Sequence, residues 1–91
     1  MKQIIYAISD SSGETATIFS RSMLAQFPKL EIEQKRFSFI KNIQTLQDIF
    51  VQAQKDHAIV FYTLNNPEYD PIVKQLQQKH QVLAFDILNP F

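Results

Sequence analysis

The chain has 91 residues, 45% of them hydrophobic and 20% charged, a composition expected of one folded globular domain rather than a disordered tail. Nine basic residues balance nine acidic ones with no block of like charge, which argues against nucleic acid or an anionic membrane as a partner. Cysteine is absent, so disulfides, thiol chemistry and the usual soft metal ligands are excluded.

Ile4-Ile5-Tyr6-Ala7-Ile8 predicts a strand buried on both faces, as in the middle of a parallel sheet. This opening run is too short for a signal peptide or a membrane span, and a cytoplasmic location is expected. From residue 14 to about 27, Ala16, Phe19, Met23 and Phe27 recur at helical spacing and are expected to face the core, with Pro28 as the stop. Leu30, Ile32 and Gln34 alternate with Glu31, Glu33 and Lys35, the period of a strand with one wet face, which belongs at a sheet edge. Phe37 to Lys41 continues as an extended connection.

A second helix is predicted from about Thr45 to Asp56, capped by Asn42, with Ile43, Leu46, Phe50 and Ala53 inward. Ala58-Ile59-Val60-Phe61-Tyr62 reads as another fully buried strand. Asp70-Pro71 reads as an N-cap followed by proline at the first helical position, opening a third helix that reaches about His80. Val82-Leu83-Ala84-Phe85 is the last strand. Strands alternating with helices of about a dozen residues predict an α/β three-layer sandwich with a four-stranded parallel sheet. The edge character of the second strand gives the order 2-1-3-4, a flavodoxin- or Rossmann-like half. Residues 1–91 are read as a single N-terminal domain, and the apolar Phe91 suggests a fragment of a longer protein.

Ser9-Asp10-Ser11-Ser12-Gly13-Glu14-Thr15, between the first strand and the first helix, holds the only glycine of the chain. The N–H groups at a helix start need acceptors, and two readings remain open. In one, Asp10, Ser11 and Ser12 cap the helix themselves. In the other, Asp10, Ser11, Ser12, Gly13, Glu14 and Thr15 surround a bound phosphate, with Lys35 and Arg36 (and Lys41) approaching from the neighbouring strand.

The remaining chemistry-bearing residues read as structural. Asp10 and Asp86 end strands separated by a third, roughly 9–10 Å apart, too far to share a proton. His57 and His80 sit at the opposite edge, which leaves no metal site and no Ser-His-Asp arrangement. A single glycine cannot supply G-x-x-x-x-G-K-[ST] or G-x-G-x-x-G. Phe37, Phe39, Phe61, Tyr62 and Phe85 are expected to form core. Phe39 and Phe91 are the aromatics expected to face a partner.

Ile8–Ala16, Ala25-Gln26-Phe27-Pro28, Arg36-Phe37-Ser38-Phe39, Val60–Leu64 and Asp86–Pro90 together resemble the N-terminal part of the pyruvate, phosphate dikinase regulatory proteins. These are bifunctional serine/threonine kinases and phosphorylases, and Ser12 stands where the family usually has threonine. The resemblance implies a protein that phosphorylates a threonine of the dikinase with ADP and removes that phosphate by phosphate-dependent phosphorolysis, releasing pyrophosphate. It also implies a longer chain whose phosphate-binding loop lies in a C-terminal domain. No catalytic residue or cofactor therefore transfers to these 91 residues, which alone are expected to be inactive. The partners it implies are the dikinase, the protein's own C-terminal domain and a second copy of the chain. The competing reading is a phosphate- or nucleotide-binding module built on the Asp10–Thr15 turn.

Overall fold

A computed structural model of the chain describes residues 2–88. The elements run β1 (Lys2–Ser9), α1 (Glu14–Gln26), β2 (Glu31–Phe37), α2 (Ile43–Asp56), β3 (Ile59–Thr63), α3 (Tyr69–His80) and β4 (Ala84–Asp86). Every strand pair is parallel and the spatial order is β2-β1-β3-β4, the α/β arrangement read from the sequence. Asn89, Pro90 and Phe91 lie outside the described residues, and with them the expectation for Phe91.

The register places Ile5 opposite Gln34 and Ile59, and Tyr6 opposite Lys35 and Val60. Alternate residues of β1 therefore serve opposite faces. Tyr6, Ile8, Val60 and Tyr62 meet Leu46, Ile49, Phe50 and Ala53 of α2 and Val73 and Leu76 of α3 in the main core. Tyr6, Ile8, Leu46, Phe50, Val60 and Val73 are fully buried, and each such aliphatic or aromatic side chain contributes about 1.5–3 kcal/mol. The Tyr6 hydroxyl donates to the Asp56 carboxylate, which also pairs with Lys35 at 3.4 Å.

Right-handed crossovers explain the layers: β1 to β2 runs one way across the sheet, and β2 to β3 and β3 to β4 run the other. So α2 and α3 share one face and α1 stands on the other. Asn42 caps α2 as read, its Oδ1 accepting from the Thr45 amide at 2.8 Å. α3 begins a residue before the expected cap, at Tyr69, with Asn66 Oδ1 accepting from the Glu68 amide at 3.0 Å. Pro71 is tolerated there because amides of the first turn have no intrahelical acceptor.

α1 corrects the expected inner face. Its buried residues are Ala16, Thr17 and Ser20. Small side chains let the helix lie close to β1, while Phe19 and Met23 flank it toward β3 and β4 and Phe27 is exposed. Phe85, expected in the core, is 49% exposed on this same face.

Candidate functional site

β1 delivers Ser9 to the carboxyl rim of the sheet, beside β3, where the chain order reverses. Ser9 is fully buried; its Oγ donates to the Thr63 carbonyl at 3.1 Å and accepts from the Ser11 amide at 3.0 Å. Asp10 then reaches across to the β3–α3 loop. Its carboxylate accepts from the Asn65 amide at 2.9 Å, the Asn65 Nδ2 at 3.0 Å and the Asn66 amide at 2.9 Å. Open parallel sheets commonly bind ligand anions in the crevice at such a switch point. Here the protein places its own carboxylate against that pair of backbone amides. Burial pushes the Asp10 carboxyl up, but the hydrogen bonds from Asn65 and Asn66 together outweigh it and hold the group below its ordinary value.

The next residues are fixed from the β2 side. The Ser12 carbonyl accepts from the Arg36 guanidinium, through Nε at 3.0 Å and Nη2, and from Ser38 Oγ at 2.7 Å. The Phe39 amide donates to the Ser11 carbonyl at 2.9 Å and the Ile40 amide to the Ser9 carbonyl at 3.0 Å. Phe39 adopts φ 58°, uncommon for a bulky residue, and its ring is 61% exposed at this rim. Gly13 is required where it stands: at φ +82°, an added Cβ would lie 3.2 Å from Ser38 Oγ and 3.4 Å from Arg36 Nε.

Gly13 is the N-cap of α1, and among the described residues no side chain caps the helix. The self-capping reading is therefore corrected: Asp10 caps the facing loop, and Ser11 Oγ lies 3.1 Å from Ser9 Oγ. Ser11, Ser12, Gly13, Glu14 and Thr15 instead line a hollow of about 270 Å³ with Thr63, Asn65 and Leu88. Arg36 does reach the turn, through the Ser12 carbonyl. Lys35 does not. One residue away on a strand, it projects from the opposite face toward Asp56 and sits 5.9 Å from the Tyr6 ring centre. The residues that sequence reasoning missed are Ser9, Ser38, Asn65 and Asn66. Their only signal is polar side chains at the carboxyl ends of strands.

A second hollow on the same rim, about 580 Å³, is lined by Tyr62, Asn65, Asp70, Lys74 and Asp86 among others. Burial first, then the charges of Asp86 and Asp70, pushes the Tyr62 hydroxyl up to about 12, so it stays a neutral donor at physiological pH. Lys74 is paired with Asp70 at 3.0 Å, and Asp86 accepts from the Leu88 amide at 3.0 Å. The histidines lie elsewhere: His57 closes α2, and His80 Nδ1 meets Gln54 Oε1 at 2.8 Å. Among the described residues no three His, Asp or Glu side chains converge as a metal site, and no helix is long and apolar enough to cross a membrane.

Comparison with known proteins places these features in a family. The model of the kinase/pyrophosphorylase family matches residues 5–91. A protein of Levilactobacillus brevis is 34% identical over 86 residues, covering 94% of this chain and 31% of its own. One from Enterococcus faecalis is 36% identical, with 94% and 31% covered. One from Staphylococcus saprophyticus is 37% identical, with 93% and 32% covered. All three carry the provisional name pyruvate, phosphate dikinase regulatory protein. The chain thus spans about a third of the length of these relatives. With the match running from the middle of β1 through the last residue, this chain belongs to the kinase/pyrophosphorylase family.

Proposed function

We propose that the chain is the N-terminal domain of a regulator of pyruvate, phosphate dikinase, which phosphorylates a dikinase threonine with ADP and removes the phosphate by phosphorolysis. In that protein this domain serves as scaffold and docking surface, and the phosphate-transfer chemistry belongs to the rest of the chain. One observation carries the reading. At the β1–α1 turn the Asp10 carboxylate is committed to Asn65 and Asn66, and Arg36 to the Ser12 carbonyl. A transfer site needs a cation free to meet phosphate charge as it develops. Here Arg36 is spent on a carbonyl and Lys35 on Asp56.

The test is a competition. The isolated chain should give no ADP-dependent labelling of dikinase, yet in excess it should slow labelling by the L. brevis relative. Labelling by the chain alone would defeat the scaffold reading, and absence of competition would defeat docking.

A second reading is favoured by the uncapped start of α1, whose first-turn amides border the 270 Å³ hollow. It makes the turn a phosphate-binding site. Amide shift changes confined to Ser12–Ala16 on adding phosphate or pyrophosphate would support it. Unchanged shifts at millimolar ligand would remove it.

A further inference from the structure

Among the described residues the face that carries α1 is half covered. Four strands at about 4.8 Å spacing make a sheet roughly 19 Å wide, and packed helices lie about 8–10 Å apart, so each face takes two helices. The opposite face has its two, α2 and α3. On this face α1 covers the β1 side, and beyond it runs a groove of about 740 Å³ over β3 and β4. Phe19, Met23, Phe61, Leu83, Phe85 and Ile87 line it. An aromatic ladder crosses its floor, with ring centres 5.3 Å apart for Phe19–Phe61 and 5.8 Å for Phe61–Phe85. Leu83 is 63% exposed and Phe85 49%, contiguous rather than scattered. The Cα radius of gyration, 12.3 Å, equals the value of about 12 Å for a packed chain of this length, so the groove is a local vacancy in a tight fold.

We infer that the groove seats one amphipathic helix from the part of the family protein that lies outside these 91 residues. The relatives are about three times as long as the matched segment, which supplies the source. A second copy is the poorer occupant, because the apolar side chains that the described helices expose are scattered among polar ones. α1 exposes Ile18 among Glu14, Arg21, Ser22 and Gln26, α2 exposes Ile43 and Val51 among Gln44, Gln47 and Asp48, and α3 shows Gln75, Gln78 and Lys79. Handedness narrows the source further. A fifth strand added beside β4 by a right-handed crossover would put its helix on the α2–α3 face. The helix in the groove is therefore not the connection to such a strand.

The inference rests on family membership and uses no activity, so it stands or falls apart from the kinase reading. The test joins this chain to the remaining two thirds of the L. brevis relative and compares it with the 91-residue chain. Free chain should be monomeric by light scattering and bind anilinonaphthalene sulfonate, and Phe85→Lys should abolish the dye signal while moving Tm by less than about 2 °C. In the fusion the dye should stay dark and Phe85→Lys should lower Tm by several degrees, since each kcal/mol is about 2–4 °C at that length. The intact L. brevis protein, which needs no fusion to fold, should also leave the dye dark. Dye uptake by that protein equal to the free chain's, or a Phe85→Lys fusion as stable as its parent, would overturn the inference. So would a dimer of the free chain that Phe85→Lys dissociates, which would assign the groove to a second copy.

Discussion

Removing the Asp10 carboxylate should cut the tie between the two loops at the switch point. Asp10→Ala deletes the acceptor for two backbone amides and one side-chain amide. Hydrogen bonds to a charged group contribute about 1.5–3 kcal/mol. Asn65 is exposed, so water replaces part of the loss, and the low end, about 1.5–2 kcal/mol, is the expected cost. For a domain of this size that lowers Tm by roughly 6–16 °C at pH 7. Asp10→Asn keeps a neutral acceptor and should fall between. The dependence on pH has a definite sign. The folded-state pKa lies below the unfolded value of about 4, so the contribution is complete at neutral pH. It disappears as pH falls through the folded value. Thermal unfolding by circular dichroism from pH 7 to pH 2 should therefore show wild type and Asp10→Ala converging in acid. A variant within 2 °C of wild type at pH 7, or a gap that does not narrow as the pH falls, would overturn this reading.

Three further changes probe the same framework. Gly13→Ala forces a left-handed alanine against Ser38 and Arg36 and should cost about 1–2 kcal/mol, read as a lower urea midpoint with unchanged m. Thr17 has a buried hydroxyl without a partner among the described residues, so Thr17→Val should stabilise by about 1 kcal/mol, visible as a raised Tm. Tyr6 is raised above its ordinary value, first by burial and then by its bond to Asp56, so its contribution is complete below about pH 10 and lost as pH rises further. Tyr6→Phe should accordingly lower Tm at pH 7 and flatten the alkaline decline, measured by thermal scans between pH 7 and 11.

Much of the architecture could be read from local pattern. Two five-residue apolar runs marked β1 and β3 as interior strands, and the alternation through Glu31–Lys35 marked β2 as an edge. Asn42 announced its cap because capping depends on neighbours three residues away. The site was harder to read because its bonds are not local. Asp10 finds Asn65 and Asn66 from 55 and 56 residues away, and Ser38 finds Ser12 from 26. Lys35 and Arg36 cannot both face the turn, since adjacent strand residues point oppositely, but only the register with Ala7 shows which one does. α1 misled for another reason. Its apolar spacing through Phe19, Met23 and Phe27 belongs to a helix that packs on small residues, with Phe19 and Met23 lining the groove over β3 and β4 and Phe27 exposed.

The proposed division of labour gives these residues the fold and the docking surface and leaves phosphate transfer to the rest of the family protein. ADP-dependent incorporation of phosphate into pyruvate, phosphate dikinase tests it most directly, comparing the 91-residue chain with its fusion to the remaining two thirds of the L. brevis relative. Background incorporation is expected for the chain and turnover for the fusion. Turnover by the 91 residues alone would contradict it.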